Sequence, residues 1–433
     1  MSPEIPPPSE PPGENKQPAS AGRSRVNDSA SGSNSSGKDG VSNGNGGLRN
    51  VVMMGLVSFF TDLSTEMILG VLPLFVVKDL GASRAILGAM EGSAELTSYV
   101  LRMVSGSLSD KVGKRKIFVV IGYALSTASK PFFVLSSGWL DVFIVRVVDR
   151  MGKGIRTAPR DALIADSVSE SISGKAFGIH RTIDQIGAII GPILAFAILQ
   201  VMDIRYVFLF SLIPGAIAVI ILVFYVREIS ITKIRKKFET KIFSNIVNII
   251  KENKPFVALL IVSAIFSLGA FNFSFVLLKA SNSGVEESLI PIVYAVINVS
   301  HTAIGIPSGL LADKIGKEKV LIIGYSTLVV TTFLMVTELS KNSLYPYVYA
   351  VVFGLYLGIS ETVQRAIVPN YVSSELRGTA FGLFNIVIGV CFFISNVAFG
   401  FLWDSFNFSF AALYSVVLSL AGIVGMMVFM KRY

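Results

Sequence analysis

The chain has 433 residues, 52% of them hydrophobic and only 15% charged, with a mean hydropathy of +0.65. That is too apolar for an ordinary water-soluble globule and fits a protein that crosses a bilayer many times. The net charge of +9 could suit nucleic acid, but the cations sit at the ends of apolar runs rather than on one soluble face, which argues against that partner.

Residues 1–47 are rich in Pro, Ser, Gly and Asn and nearly devoid of large apolar groups, so they cannot offset the entropy of ordering; a disordered cytosolic tail is expected. Apolar runs of about 20 residues are needed to cross the hydrocarbon. Twelve are expected, at 50–77, 84–108, 117–137, 139–164, 174–200, 204–227, 255–278, 288–311, 319–338, 343–366, 377–402 and 407–430. The connections after the second, sixth and eighth runs carry Lys111, Lys114, Arg115 and Lys116, then Lys233, Arg235, Lys236, Lys237 and Lys241, then Lys314, Lys317 and Lys319. By the excess of cations in cytoplasmic loops, these face inward and both termini are cytosolic, in a multi-pass protein of the cell membrane. The expected organisation is a first six-helix bundle over 48–227, a basic cytosolic linker over 228–254 and a second bundle over 255–433.

The first run places Asp62 and Glu66 four residues apart, on one face near mid-depth, and the second repeats the device with Glu91 and Glu95. Like charges one turn apart in a low dielectric are costly unless one holds a proton or each finds a cation, so these four are the candidate proton-coupling groups. The fourth run carries Arg146, Arg150, Lys153, Arg156 and Arg160 at helical spacing on one face, with Asp149 and Asp161 beside them. In lipid such a stripe would cost several kcal/mol per charge, so it is expected to face a cavity, neighbouring acids or the cytoplasm. The fifth run adds His180, Arg181 and Asp184, then Gly187 and Gly191-Pro192, where small residues and a proline suit a close-packed, kinked helix. The second half is quieter, with Asn272, His301, Glu361 and Arg365 as its polar cavity candidates. Hydrogen-bonded packing is the plainer role for His301.

One string occurs twice. Gly106-Ser107-Leu108-Ser109-Asp110-Lys111-Val112-Gly113-Lys114-Arg115-Lys116 returns as Gly309-Leu310-Leu311-Ala312-Asp313-Lys314-Ile315-Gly316-Lys317-Glu318-Lys319, and Gly174-Lys175-Ala176-Phe177-Gly178 returns as Gly378-Thr379-Ala380-Phe381-Gly382 at nearly the same offset. Two independent anchors at one spacing indicate an internal duplication.

The repeated string resembles the loop signature of the major facilitator superfamily, G-x-L-a-D-r-x-G-r-k. The resemblance implies an all-α membrane protein of twelve transmembrane helices in two pseudo-symmetric six-helix bundles. It implies a cytoplasmic gate at Gly106, Asp110, Gly113, Arg115, Gly309, Asp313 and Gly316, in which the loop Asp latches the halves together. The fourth run resembles that family's R-x-x-q-G-x-g motif, with Arg146 in the Arg position and Asp149 and Arg150 replacing Gln and Gly. The Gly187 to Pro192 segment resembles part of its antiporter motif. The string from Asp149 to Leu163 is similar to a branch found in bacteria and archaea, from which no substrate carries over.

No G-x-x-x-x-G-K-[ST] loop is present, so an ion gradient rather than ATP is the expected energy source. The expected function is proton-coupled export of a small organic solute by alternating access, with uptake of a small metabolite, anions included, by proton symport as the alternative. A non-transporting sensor or lipid-handling protein is the reading from another class. The expected partners are a small-molecule substrate, protons and the lipid bilayer. No enzyme activity, cofactor, metal or nucleic acid is expected, and the chain is expected to act as a monomer.

Overall fold

The structure is a computed structural model that describes residues 44–229, 242–338, 342–373 and 376–433. Most of the expected tail and the linker cations Lys233, Arg235, Lys236, Lys237 and Lys241 lie outside the described residues. The described part of the linker is the helix Ile242–Glu252.

The first half holds α1 (Gly44–Leu69, prolonged by Leu72–Leu74 and Phe75–Asp79), α2 (Arg84–Val112), α3 (Arg115–Leu135), α4 (Trp139–Ser167), α5 (Ser173–Leu199) and α6 (Ile204–Tyr225). The second holds α7 (Lys254–Gly269, continued by Phe273–Asn282), α8 (Ile290–Ile315), α9 (Lys317–Thr337), α10 (Tyr345–Ile367), α11 (Arg377–Ser405) and α12 (Phe408–Arg432). Ten of these twelve are long and apolar enough to cross a membrane. The other two, α2 and α4, have 29 residues each, about 43 Å of helix. They fall outside the apolar set because they carry the acids and cations described above.

The duplication shows in the packing. Within the first half α1 packs on α5 and α6, α4 on α2 and α3, and α3 on α6; the same pattern recurs six helices later. The halves meet through α2 against α11 and through α5 against α8, a pair of contacts that exchange under the same relation. Both are close. A Cβ on Gly88 would lie 2.1 Å from the Asn396 carbonyl oxygen, and one on Gly400 2.2 Å from that of Arg84, so the absence of side chains there sets the α2–α11 distance.

The repeated string is a helix terminus in both copies. Gly113 and Gly316 end α2 and α8 with φ of +68° and +102°, backbone that favours glycine. The carboxylate at the N-terminus of α3, however, is Glu228, which accepts from the amides of Arg115 (3.1 Å) and Lys116 (2.8 Å).

Candidate functional site

Between the halves lies a cavity of about 610 Å³. From the first half it is lined by Asp62 and Glu66 of α1, Glu95, Tyr99 and Arg102 of α2, Arg150, Lys153, Arg156, Arg160 and Asp161 of α4, and Arg181, Asp184 and Gln185 of α5. From the second it is lined by Phe271, Asn272 and Phe273 at the break in α7, Tyr294, Asn298 and His301 of α8, Tyr356, Glu361, Gln364 and Arg365 of α10, and Phe381, Phe384, Asn385 and Phe392 of α11. The first half supplies most of the charge and the second most of the aromatic surface.

The cavity opens toward the face that carries Asp110. On that side the cavity-lining Arg365, Arg181 and Asp161 side chains are 66%, 51% and 46% exposed, whereas Phe271 at the other end is 1% exposed. The opposite face is tied shut across the halves. Lys78 donates to Glu287 (2.5 Å) and Ser281 (2.7 Å), and Asp404 accepts from Arg84 (2.9 Å) and from the Ala85 amide (3.0 Å). That second contact puts a carboxylate of α11 on the N-terminus of α2, where the helix dipole favours it. Nearer mid-depth Glu66 accepts from the Tyr294 hydroxyl at 2.6 Å, another link between the halves.

Asp110 takes no part in tying the halves together. Its carboxylate meets Arg115 (3.3 Å), which also meets Asp166 (2.7 Å), and all three belong to the first half. The latch implied by the resemblance is therefore not made in this conformation, since the halves are parted on the Asp110 face. Among the described residues Asp313 has no ion pair; in the second copy Lys317 instead donates to Asn370 (2.8 Å) and Tyr371 to Glu318 (2.6 Å).

The other singled-out residues divide into those on the cavity and those behind its wall. Arg146, Asp149 and His180 are expected on the cavity but do not line it. Arg146 makes a two-pronged contact with Glu91 (3.0 and 2.8 Å) and a third with Asp149 (3.2 Å), and the Ser126 hydroxyl occupies the other Asp149 oxygen. A buried acid with its charge met in this way is a tie between helices. His180 lies 2.9 Å from the Ser58 hydroxyl, which in turn lies 3.0 Å from that of Tyr123. In the second half Glu361 faces Arg365 (3.5 Å) and His301 (3.7 Å). Asn272 caps the second piece of α7 through Ser274 (2.9 Å). Gly187 and Gly191 let α5 reach the backbone of α1, where added Cβ atoms would lie 2.3 and 2.7 Å from the Phe59 and Leu63 oxygens.

Sequence reasoning passed over Tyr294, Asp404 and Lys130. The first two join the halves; nothing in a tyrosine within an apolar run, or an Asp at a helix end, announces a partner hundreds of residues away. Lys130 is 1% exposed, and its ammonium group donates to the Ser64 hydroxyl.

At the centre of the wall the Asp62 and Asp184 carboxyl groups lie beside each other, with Arg181 3.3 Å from Asp184. Ionised carboxylates only accept hydrogen bonds, so a direct bond between these two would need one proton shared between them. Among the described residues there is no cluster of three or more metal-ligating side chains.

A helical membrane protein with a charged cavity between two related halves, sealed on one face and open on the other, is built as a solute transporter. A profile of the Major Facilitator Superfamily matches residues 54–395 and 258–433, and the chain belongs to that family. It is 36% identical over 367 residues to an uncharacterised MFS-type transporter of Methanocaldococcus jannaschii, covering 82% of this chain and 88% of that one. It is 25% identical over 379 residues to the quinolone resistance protein NorA of Staphylococcus aureus, covering 84% and 92%. Among solved structures, the nucleoside transporter NupG superposes with a TM-score of 0.72 at 14% identity, over 88% of this chain and 98% of that one.

Proposed function

We propose that this protein exports a small organic solute across the cell membrane in exchange for protons, with the Asp62–Asp184 pair as the coupling site. The observation that carries the reading is the placing of two carboxyl groups side by side on the cavity wall, an arrangement that is repulsive when both are ionised and is relieved by one shared proton. Of the acids expected to couple, Glu91 is neutralised by Arg146, Glu66 is engaged by Tyr294 and Glu95 stands among the cations Lys153, Arg150 and Arg102, which leaves Asp62 as the group best placed to exchange a proton with the cavity. The loop cations Lys111, Lys114, Lys116, Lys314 and Lys319 support a cytosolic Asp110 face, so the conformation described is read as open to the cytosol. In this reading solute enters from the cytosol as the pair gives up its proton. The halves then rock about the α2–α11 and α5–α8 contacts, breaking the Lys78–Glu287 and Arg84–Asp404 ties. Solute leaves outside, and the pair is reprotonated there. Similarity to a relative named for quinolone resistance supports the outward direction.

The test begins with a thermal-stabilisation screen of metabolites and drugs against the purified protein. The best stabiliser is then followed in proteoliposomes bearing an imposed pH gradient. Asp62→Asn and Asp184→Asn should each abolish pH-driven flux while leaving solute counterflow in the absence of a gradient. Full pH-driven flux in both variants would refute the coupling site. Binding without movement in either assay would favour a sensor.

A further inference from the structure

We propose that the solute is an organic anion: a carboxylate or phosphate ester held by Arg150 and Lys153, with an apolar body against the aromatic wall of the second half. The inference rests on the cavity being the transport site and adds the chemical class of what it holds.

The charge balance of the wall points this way. Seven Arg and Lys side chains line the cavity against six Asp and Glu, so the wall keeps an excess of one cation even when Asp62 and Asp184 are both ionised. Three of the cations are engaged, Arg160 by Asp161 (2.9 Å), Arg181 by Asp184 (3.3 Å) and Arg365 by Glu361 (3.5 Å). Arg156 lies over the Tyr123 ring at 4.5 Å and so turns part of its charge to the wall.

Arg150 and Lys153 are different. They sit three residues apart on α4, hence on neighbouring positions of one face. The acids near Arg150 are Asp149 at 4.0 Å, both of whose oxygens are already occupied by Arg146 and Ser126, and Glu95, which lies within electrostatic reach of Arg150 and Lys153 but forms no ion pair with either among the described residues. The Nε of Arg150 has no hydrogen-bond partner although the residue is only 4% exposed, and Lys153 enters no ion pair among the described residues. A buried guanidinium short of acceptors is costly and is relieved by an anion that offers two oxygens side by side. Across the cavity stand Phe271, Phe273, Tyr294, Tyr356, Phe384 and Phe392, which would take an apolar, planar body.

The test compares ligands that share one ring system: 2-naphthoate, 2-naphthyl phosphate, 2-naphthylmethylammonium and 2-naphthalenemethanol. Their binding to the detergent-purified full chain is measured by titration calorimetry. At least one anion should bind at least about tenfold more tightly than the ammonium and the alcohol, the effect of one charge-assisted hydrogen bond. Comparing the two anions separates a carboxylate preference from a phosphate preference. Arg150→Gln should weaken the preferred anion by a similar factor, and more than Asp62→Asn does, while leaving the alcohol unchanged. If Arg150→Gln does not fold, Lys153→Gln carries the same expectation. An ammonium that binds as tightly as the anions, anion affinity unchanged in both variants, or no binding of any probe to a stably folded protein would overturn the proposal. No gradient is used, so failure of proton coupling would leave this outcome unaffected.

Discussion

Replacing Glu91 by Gln tests whether this acid is a structural tie or a proton carrier. The Glu91 and Arg146 side chains are each 3% exposed and joined by two hydrogen bonds of 3.0 and 2.8 Å. Gln keeps the volume but turns one acceptor into a donor facing the guanidinium and removes the charge. Losing charge-assisted hydrogen bonds at about 1.5–3 kcal/mol each puts the cost at about 3–5 kcal/mol, the range found when one partner of a buried pair is removed. Arg146 would retain only Asp149 at 3.2 Å, which it already shares with Ser126. Glu91→Gln should therefore lower the midpoint of detergent-induced unfolding strongly. Glu91→Leu combined with Arg146→Met should recover part of the loss, because the paired charges leave together while Asp149 keeps Ser126 and Arg150 at 4.0 Å. A cost below about 1 kcal/mol for Glu91→Gln would show that the pair is not a structural tie; unchanged folding with lost pH-driven flux would return Glu91 to the proton-coupling groups.

Three further outcomes are expected. Asp110→Asn should cost no more than about 1 kcal/mol in thermal unfolding, because its side chain is 45% exposed and Arg115 keeps Asp166 at 2.7 Å; a larger loss would mean that Asp110 has a partner in the conformation that dominates in solution. Asp404→Asn removes the acceptor of Arg84 and weakens that of the Ala85 amide, so the closed face should open more often; in a Cys391→Ser background, Phe271→Cys should then label faster with an impermeant maleimide from that side, and unchanged labelling would refute the clamp. Just past the C-terminal end of α9 the Lys279 hydrogen bond holds the Glu338 carboxyl below the usual glutamate range. A folded-state value depressed in this way stabilises above the unfolded value and is lost as pH falls through the folded one, so thermal stability should decline in acid more steeply in the native protein than in Glu338→Gln; parallel profiles would refute it.

The sequence is most legible where a single residue type can do the job. Gly113 and Gly316 end their helices at positive φ, and glycine spacing on α2, α5 and α11 marks where backbones touch. Helical periodicity likewise places Arg150, Lys153, Arg156 and Arg160 on a shared cavity-facing stripe. The same periodicity misplaces Arg146, because Glu91 of α2 supplies the matching charge away from the cavity. Which acid is met by a cation and which faces another acid depends on distances between helices, and no spacing along one helix encodes those.

By itself, then, the chain determined the all-helical membrane class, the duplication, the helix ends and the set of charges that must avoid lipid, because each follows from local chemistry or from a repeat within one string. Only the tertiary structure decided the pairings: Glu91 with Arg146, Glu66 with Tyr294, Asp62 with Asp184, and the Arg84–Asp404 and Lys78–Glu287 ties that seal one face. The physical reason is that a buried charge is defined by its nearest partner, and here almost every partner comes from another helix.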